Sequence, residues 1–424
     1  MLDIKFVREN PEVVKANMRR KFRENEQIVD EVIALDSHYR ASLQKLEDAR
    51  STMNSVSKQI GGFMAKGEKD AAESAKAQVS ELKATIPDME KAVEESKAKL
   101  HELMLKIPQI IADDVPLGKD DSENVEVEVF GEPKVPSFEI PYHIEIMERL
   151  AGVELEPARK TSGAGFYYLK GDVARLHSAI LAYARDFMIE RGFTYYIPPF
   201  MIRAEVVTGV MSFAEMENMM YKIEGEDLYL IGTSEHSMIG KFIGELLEEA
   251  DLPQALTSYS PCFRKEVGAH GLEERGVYRI HQFEKQEMVV VCKPEDSAEW
   301  FGKMWQYTVD FFRTLDIPVR ALECCSGDLA DLKVKSIDVE AWSPRQGKYF
   351  EVGSCSNLGD AQARRLGIRV RGGEGKYTPH TLNNTVAAPP RMLIAFLENN
   401  LNEDGSVRVP QVLRGYMGGK ERLG

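Results

Sequence analysis

Residues 263–266 read FRKE and residues 279–287 read RIHQFEKQE, so opposed charges lie on either side of a short loop. Alternate side chains of a β-strand share a face. Arginines bind phosphates, an aromatic ring stacks on a base, and carboxylates accept hydrogen bonds from an amino group. A folded-back pair of strands would therefore gather on one surface Arg264, Glu266, Arg279, Phe283 and Glu287, where they could bind a nucleotide. Taken alone, this segment could also be an exposed hairpin with alternating charges.

Two further segments carry polar side chains suited to phosphates and divalent cations. Residues 351–357 read EVGSCSN, in which Ser354 follows the carboxylate of Glu351 by three positions. Hard oxygen ligands of this kind suit Mg²⁺. Residues 381–391 read TLNNTVAAPPR, and the two prolines favour a helix start just before Arg391. We therefore expect Arg391 in the first turn of a helix, where it can face a phosphate.

The composition is that of an ordinary globular protein. The chain has 424 residues, 43% hydrophobic and 29% charged, which argues against a disordered, collagen-like or membrane protein. The length predicts two or three domains. The 54 basic and 68 acidic residues give a formal net charge of −14, so we expect any nucleic-acid binding to be local. No apolar run approaches the ~20 residues that span a bilayer, and the N-terminal residues lack the apolar segment of a signal peptide.

The cysteines are scattered, and no pair has the CxxC spacing of a zinc site or redox motif. We therefore expect no disulfide framework, no zinc and a cytoplasmic location, with the thiols buried as small apolar groups. The chain also lacks the GxxxxGK[ST] and GxGxxG motifs, so a nucleotide would have to bind by other means. The five cysteines are Cys262, Cys292, Cys324, Cys325 and Cys355.

The first hundred residues carry the repeat of a coiled coil. Apolar residues step by threes and fours over 28–63 and again over 72–107, which keeps one stripe facing a partner helix. Turn residues lie between the runs at Gly61-Gly62 and Lys66-Gly67. Two helices of about 35 residues should therefore fold back antiparallel and project about 50 Å. Pro87 falls inside the second helix, where it should introduce a kink.

Such a rod has too little interior to be an enzyme, and two roles stay open for it. It can serve as a dimerisation or spacer device, or its interspersed lysines can follow a phosphate backbone. The densest basic stretch near its base comprises Arg19, Arg20, Lys21 and Arg23.

The rest of the chain mixes strand and helix patterns. A polar, proline-bearing segment at 111–136 is expected to link an N-terminal domain, 1–110, to a larger domain, 137–424. Because the elements do not alternate as βαβ units, we expect an α+β fold in which helices back an antiparallel β-sheet. Strands are expected at 166–169, 228–231, 287–291, 337–341 and 349–352, and helices at 172–190, 297–315 and 391–400.

Taken together, these motifs resemble those of the class II aminoacyl-tRNA synthetases. A proline-bearing segment over 191–200, the FRKE hairpin and the arginine that opens a late helix are similar to the three signature motifs of that class. The flanking sequence is similar to the seryl-tRNA synthetase family over essentially the whole chain. In that family the N-terminal helical hairpin is the tRNA-binding arm. The similar flanking segments are GTSE at 232–235, RIHQF at 279–283, GSCSN at 353–357, QARR at 362–365 and HTLNN at 380–384.

The resemblance implies that ATP lies bent across an antiparallel sheet and that three arginines are catalytic. Arg264 would bridge the α-phosphate of ATP and the carboxylate of the amino acid, and Arg279 would hold the outer phosphates. Arg391 would pack over adenine near the γ-phosphate. Glu351 and Ser354 would hold Mg²⁺ and the α-phosphate. The complete implied ATP site is Arg264, Lys265, Glu266, Arg279, Ile280, Phe283, Glu351, Val352, Gly353, Ser354 and Arg391, with Glu266 reading the adenine amino group and Phe283 stacking on the ring.

The resemblance also implies a pocket for L-serine. A pocket that accepts the substrate hydroxyl through a carboxylate and a threonine leaves those groups unpaired when alanine binds, so rejection can reach ~10⁴ or more. Three residues, Ser234, Gly353 and Thr385, differ from residues common in the family, although none of these differences removes a charged group. The implied serine-binding residues are Thr233, Ser234, Glu235, Arg264, Glu287, Asn383 and Thr385.

The implied activity is ATP-dependent formation of seryl-adenylate and transfer of serine to the 3′-terminal ribose of tRNA(Ser). The sequence leaves open whether tRNA(Sec) is charged as well. The family also implies a homodimer through the core, and contact of the loop 267–276 with the acceptor end of tRNA. One alternative is a related ligase that loads a carrier protein, but such proteins lack the long arm. Another is an inactive paralogue, which we would expect to have lost Arg264, Glu287 or Arg391.

Overall fold

The structure, a computed structural model, describes residues 1–266 and 276–424. The chain divides into two compact units, one of Leu2–Pro108 and one of Met1 with Gln109–Gly424. We call them the arm and the core. In the described residues the arm is helical, with α1 (Ile4–Glu9), α2 (Pro11–Arg20), α3 (Ile28–Lys66) and α4 (Lys69–Met104).

Helices α3 and α4 pack against each other along the predicted apolar seam. Leu46 of α3 and Val93 of α4 belong to the same buried cluster, on opposite sides of that seam. Near Arg50, where the repeat is blurred, the guanidinium donates a hydrogen bond of 2.6 Å to Glu90 on the other helix. The predicted coiled-coil hairpin is confirmed. Its buried seam includes Leu46, Ala49, Ile86 and Val93, packed with Tyr39, Leu43, Met53, Leu82 and Met89.

Only one of the two predicted turn signals forms the turn. Gly61 and Gly62 lie inside α3, whereas Gly67 ends it with a φ of +75°. A glycine at positive φ lets the amides after a helix turn back onto its last carbonyls without a steric penalty. Here the amide of Gly67 donates to Met64 and that of Glu68 to Phe63. Pro87 lies within α4, and the helix continues on both sides of it.

The core is built on an eight-stranded sheet with the order β1-β10-β11-β12-β15-β9-β8-β4 in the described residues. Neighbouring strands are antiparallel except β4 and β8, which are parallel. The strands are β1 (Val125–Phe130), β2 (Val153–Glu154), β3 (Tyr168–Leu169), β4 (Thr194–Tyr196), β5 (Met201–Ile202), β6 (Tyr229–Leu230), β7 (Leu246–Glu248), β8 (Gln254–Phe263), β9 (Gln282–Cys292), β10 (Val319–Glu323), β11 (Lys335–Ser343), β12 (Lys348–Asn357), β13 (Arg369–Gly372), β14 (Gly375–Tyr377), β15 (His380–Ala387), β16 (Val407–Arg408) and β17 (Arg422–Leu423).

Helices back this sheet, as the sequence predicts. The predicted helices at 172–190, 297–315 and 391–400 are α7, α11 and α13, each within two residues of the expected bounds. Their apolar sides join the strands in one large hydrophobic core. The core helices are α5 (His143–Arg149), α6 (Leu155–Ser162), α7 (Gly171–Ile189), α8 (Ala204–Val210), α9 (Phe213–Met219), α10 (Ser234–Gly240), α11 (Ser297–Thr314), α12 (Ala361–Arg365), α13 (Pro389–Asn400) and α14 (Gln411–Arg414).

The two faces of β9 have different roles. Met288, Val290 and Cys292 point into the large core with α7 and α11, whereas Val289 and Val291 pack in a smaller cluster with residues of α10 and α12. Alternate side chains of a strand point to opposite faces. The odd-numbered positions at the beginning of β9 therefore lie on the face away from the large core.

The segment that we predicted as a linker, 111–136, contributes a strand to the core. Strand β1 pairs antiparallel with β10 and forms one edge of the large sheet. Its alternating valines and glutamates are almost all exposed, which gives this stretch the polarity of a linker. Glu126 pairs with Arg320 of β10 at 3.0 Å.

In the part of the chain that the structure describes, no helix combines the length and the apolar character required to span a membrane. The five cysteines are buried, as predicted for small apolar groups, and each is a free thiol.

Candidate active site

The FRKE hairpin forms the centre of the site, although its geometry differs from a simple pair of strands. Strands β8 and β9 pair up to Phe263 opposite Gln282. Arg264, Glu266 and Arg279 lie just beyond the paired strands, and Glu266 has a φ of +49°. Strand alternation therefore does not place these three side chains, and the prediction of a shared strand face was wrong for them. The prediction of a shared face is correct for the odd-numbered positions of β9, which include Phe283 and Glu287.

A cavity of about 400 Å³ lies against this hairpin. That volume falls in the range of small-molecule sites. The ends of β8 and β9, the strands β11, β12 and β15, and the beginnings of α10 and α13 supply its walls. It brings together most of the residues that the resemblance implies: Thr233, Glu235, Arg264, Glu266, Arg279, Ile280, Phe283, Glu287, Glu351, Val352, Gly353, Ser354, Asn383, Thr385 and Arg391.

Two implied residues do not line the cavity. Ser234 is fully buried, and its hydroxyl accepts a hydrogen bond of 2.8 Å from Ser258 on β8. The ammonium of Lys265 donates to the main-chain carbonyl of Glu217 at 3.2 Å. These side chains hold the walls of the site together and do not face its interior.

One end of the cavity is a deeply buried acidic pocket. Glu287 lies beside Thr385, its partner on the neighbouring strand, and Lys285 forms a close ion pair with it. Burial raises the pKa of Glu287, and the ammonium of Lys285 opposes that rise. The pocket thus contains a carboxylate whose charge depends on its neighbours.

A second carboxylate, Glu235, lies in the same pocket on the first turn of α10. It accepts a hydrogen bond of 2.7 Å from Gln362. Burial and the nearby charge of Glu287 raise the pKa of Glu235 to about 7. The adjacent His236 is buried as well, and burial together with Arg264 lowers its pKa to about 3, so it is neutral. The pocket is therefore poised to accept a cation and a hydroxyl.

The other end of the cavity carries arginines paired with carboxylates. Arg279 donates to Glu266 at 3.0 Å, and Arg391 donates to Glu351 at 2.8 Å. Burial alone would raise the pKa of Glu351, but Arg391 and the other cations nearby lower it below its ordinary value. This end of the cavity can exchange internal ion pairs for contacts with phosphates and a metal ion.

Between the two ends, Arg264 is held in place by its own hairpin and by the main chain just before α10. Its Nε donates a hydrogen bond of 3.1 Å to the carbonyl of Gly232, and its guanidinium lies 5.2 Å from the ring centre of Phe283. The carbonyl of Arg264 lies 3.0 Å from Nδ1 of His281. The arginine is thus fixed at the boundary between the acidic pocket and the ion-paired end.

The sequence motifs assign no role to several charged residues that line the cavity, among them Lys285 and Asp338. Lys285 lies on the same face of β9 as Phe283 and Glu287, because side chains two positions apart on a strand share a face. Asp338 is the cross-strand partner of Ser354 and hydrogen-bonds to it. Burial and the charge of Glu351 raise the pKa of Asp338 to about 6. Potential ligand atoms of Asp338, Cys324 and Asp328 also lie within 4.8 Å of one another.

Comparison with known proteins identifies the family. A model of the seryl-tRNA synthetase N-terminal domain matches residues 1–111, and a model of the class II tRNA synthetase core domain (G, H, P, S and T) matches residues 219–400. The serine–tRNA ligase of Methanocella arvoryzae is 43% identical over 428 residues and covers 100% of both chains. The chain belongs to the seryl-tRNA synthetase family. The serine–tRNA ligase of Thermococcus onnurineus is 41% identical and covers 100% of this chain and 97% of its own.

Solved structures of this family share the whole fold. The seryl-tRNA synthetase of Pyrococcus horikoshii, a crystal structure in complex with ATP, has a TM-score of 0.92 and 38% identity, and covers 100% of this chain and 99% of its own. The cytoplasmic serine–tRNA ligase of Naegleria fowleri, in complex with AMP, has a TM-score of 0.87 and 32% identity, with coverages of 100% and 98%. The predicted class II core with an N-terminal helical arm is confirmed. Of the loop 267–276, which we predicted to contact tRNA, residues 267–275 lie outside the described residues.

Proposed function

We propose that the cavity is where this serine–tRNA ligase converts L-serine and ATP to seryl-adenylate and pyrophosphate. Serine then passes to the 3′-terminal ribose of tRNA(Ser). The observation that carries the proposal is that Arg264 and Glu287, which would hold the carboxylate and the ammonium of serine, line one cavity with Arg391 and Glu351. The arm, together with the presence of all these charged residues, favours this activity over a carrier-protein ligase or an inactive paralogue.

The arginines of the cavity would bind the phosphates of ATP. Arg264 is positioned to bridge the serine carboxylate and the α-phosphate, where negative charge grows as the carboxylate attacks and pyrophosphate departs. Fixed cations aimed at such developing charge stabilise the transition state. Arg279 would hold the outer phosphates after leaving Glu266, and Arg391, after leaving Glu351, would pack over adenine near the γ-phosphate. Phe283 would stack on adenine, while Glu266 and the Ile280 backbone would contact its edge.

The residues at the ion-paired end also fit Mg²⁺. Glu351 supplies a carboxylate and Ser354 a hydroxyl, and Asp338 hydrogen-bonds to Ser354. These are hard oxygen donors of the kind that Mg²⁺ prefers. We propose that Glu351 and Ser354 hold a Mg²⁺ that, when bound with ATP, neutralises charge on the phosphates. We predict no zinc, and metal analysis of the purified protein tests this.

The acidic pocket supplies selectivity for serine. Glu287 and Glu235 can pair with the ammonium, and Thr385, beside Glu287, can contact the hydroxyl with Thr233 and Asn383 nearby. Because alanine would leave these buried groups unpaired, its rejection can be far larger than a missing methylene would give in an apolar slot.

The remaining partners are proposed from the arrangement of the chain. We propose that residues 1–110 bind tRNA(Ser) and that residues 137–424 form the catalytic domain and the homodimer. Ile197 and Met201, near the edge strand β4, are 66% and 48% exposed, which supports a partner on that face. The buried free thiols and the tRNA substrate support a cytoplasmic location.

The test is pyrophosphate exchange with ATP, run with serine, threonine, alanine and glycine, for the wild type and Glu287→Gln. We expect exchange with serine alone, and a loss of about 100-fold or more in kcat/KM for serine in the variant, because a buried charge–charge partner is removed. Charging of tRNA(Ser) and tRNA(Sec) then defines the acceptor. Wild-type protein without serine-dependent exchange, or a variant with unchanged serine KM and kcat, contradicts the proposal.

A further inference from the structure

The acidic pocket contains a lysine as deeply buried as the carboxylates around it. The side chains of Lys285 and Glu287 are only 8% and 2% exposed, and they form a close ion pair along one face of β9. Lysine is rarely buried to this extent unless it is paired. Burying an ammonium costs desolvation free energy, which the exposed charges elsewhere on the core avoid. We therefore expect a role of Lys285 inside the pocket.

The lysine lies next to two carboxylates that burial works to neutralise. Glu235 and Glu287 are both buried in the same pocket. Two carboxylates that share a site cannot both stay ionised without a compensating cation. Where no such cation is present, the pair takes up a proton. The charge of Lys285 lowers the pKa of both, opposing burial and their mutual repulsion.

We propose that Lys285 is a positioning residue of the serine pocket, acting through its ion pair to hold Glu287 ionised and oriented before substrate binds. The inference rests on the proposed function and deepens it, because it names what prepares the serine-binding carboxylate. A substrate ammonium then meets a preformed charge, and no proton has to leave Glu287 during binding. Lys285 needs no contact with ATP or with the reacting carboxylate.

The other titratable groups near Glu287 cannot replace the lysine. Arg264, at the end of β8, also lowers the pKa of Glu287, but by less than Lys285 does, and its proposed role is at the carboxylate of serine. Glu235 adds negative charge, and His236 is neutral because burial and Arg264 lower its pKa to about 3. Burial raises the pKa of the nearby thiols Cys262 and Cys355, so both are uncharged.

The test compares Lys285→Met with Lys293→Met by pyrophosphate exchange from pH 6 to 9. Lys293 follows the end of the same strand and pairs at 3.0 Å with Glu249, at a partly exposed surface. We expect Lys285→Met to raise the serine KM by ~10–100-fold at pH 6.5, with partial recovery at high pH as Glu287 ionises, while the ATP KM changes by less than about two-fold. Lys293→Met should match the wild type throughout.

A double-mutant cycle separates positioning from a general structural effect. A glutamine at position 287 needs no counter-ion, so adding Lys285→Met to Glu287→Gln should cost less than about two-fold in kcat/KM for serine. Thermal unfolding and AMP binding check that each variant is folded. An unchanged serine KM in Lys285→Met, an equal loss when Lys285→Met is added to Glu287→Gln, or a parallel rise in the ATP KM overturns the inference. Wild-type protein without serine-dependent exchange would instead overturn the proposed function.

Discussion

Arg391 in the first turn of α13 donates a hydrogen bond of 2.8 Å to Glu351 on β12, and the Arg391 guanidinium lies 4.8 Å from the ring centre of Tyr278. The residue proposed for the γ-phosphate and the residue proposed for Mg²⁺ thus form one ion pair across the cavity. When ATP and a metal bind, each partner gains a stronger opposite charge, so the pair separates at little net electrostatic cost.

Removing the arginine should therefore impair ATP use more than serine binding. We expect Arg391→Ala to lower the rate of pyrophosphate exchange by about 10²–10³-fold, because a cation that faces developing charge is lost. The serine KM should change much less. Arg371→Ala is the matched control, since Arg371 is 59% exposed and pairs with Glu248 on the surface of the core. Equal effects of the two substitutions would show that Arg391 has no special relation to ATP.

The raised pKa of Glu235 predicts a pH dependence of serine binding. Its pKa of about 7 lies above the ordinary range of a glutamate, because of burial and Glu287. The protonated form therefore stabilises the fold at low pH, and this contribution is lost as the pH rises through about 7. A substrate ammonium prefers the ionised form, so serine should bind more tightly as the pH rises from 6 to 8 and should release a proton.

Titration calorimetry of serine in buffers of different ionisation enthalpy measures that proton. We expect release of close to one proton per serine near pH 6 and of much less near pH 8. Glu235→Gln should bind serine weakly and release none. A serine affinity that is constant between pH 6 and 8 would show that Glu235 is already ionised, or does not meet the ammonium.

Most of the fold follows from patterns with a strong physical cause. The heptad repeat predicts the seam between α3 and α4, because it keeps one apolar stripe facing the partner helix. The two prolines predict the start of α13 just before Arg391, because proline is favoured in the first turn of a helix. The reversal at Gly67 could not be chosen over Gly61-Gly62, because glycines are tolerated inside an exposed helix when tertiary packing holds it. Strand β1 was missed as part of the sheet because its alternating valines and glutamates lie among the prolines and glycines of a segment with the composition of a linker.

The site residues that could be predicted from the sequence are charged residues that also lie within a family motif. Glu287 and Arg264 stand in recognisable motifs, whereas Asp338 is recognisable only once β11 is known to lie beside Ser354. The side chains of Ser234 and Lys265 were assigned to the site because their neighbours belong to it. Adjacent residues on a helix or an extended segment point in different directions, so a motif does not place all its side chains in the cavity.

Gly165 offers a way to disturb the hairpin without touching a charged residue. A Cβ on Gly165 would lie 2.6 Å from the ring of His281, and the amide of His281 donates to the Gly165 carbonyl at 3.0 Å. The same imidazole contacts the carbonyl of Arg264 and the hydroxyl of Tyr221. Gly165→Ala should therefore displace His281 and with it Arg264.

The matched control is Gly163→Ala. Gly163 and Gly165 both have positive φ, +96° and +79°, but a Cβ on Gly163 would meet no atom within 4 Å. Both variants carry backbone strain from a Cβ at positive φ, and only Gly165→Ala adds a clash with His281. We expect Gly165→Ala to lower kcat for exchange by ~10-fold or more relative to Gly163→Ala. Equal activities would show that the position of His281 does not matter for Arg264.

The role of the arm in tRNA charging can be tested by shortening it, because the two helices pack along one continuous seam. Replacing residues 47–92 with a short glycine–serine turn leaves Leu46 and Val93, which share the buried seam, to close the stump. We expect serine-dependent exchange to be unchanged within about two-fold, and charging of tRNA(Ser) to fall by about 100-fold or more, because phosphate contacts are lost. Loss of both activities would show that the arm is needed for the fold of the catalytic site.

A second variant distinguishes a tRNA-binding arm from a spacer, the two roles that the sequence left open. Five exposed lysines on α3 and α4 can be changed to alanine together without shortening the rod. If the arm follows the tRNA backbone, the KM for tRNA should rise and its dependence on salt should weaken, since fewer counter-ions are released on binding. An unchanged KM and salt dependence would favour the spacer. The substituted lysines are Lys58, Lys66, Lys69, Lys76 and Lys83.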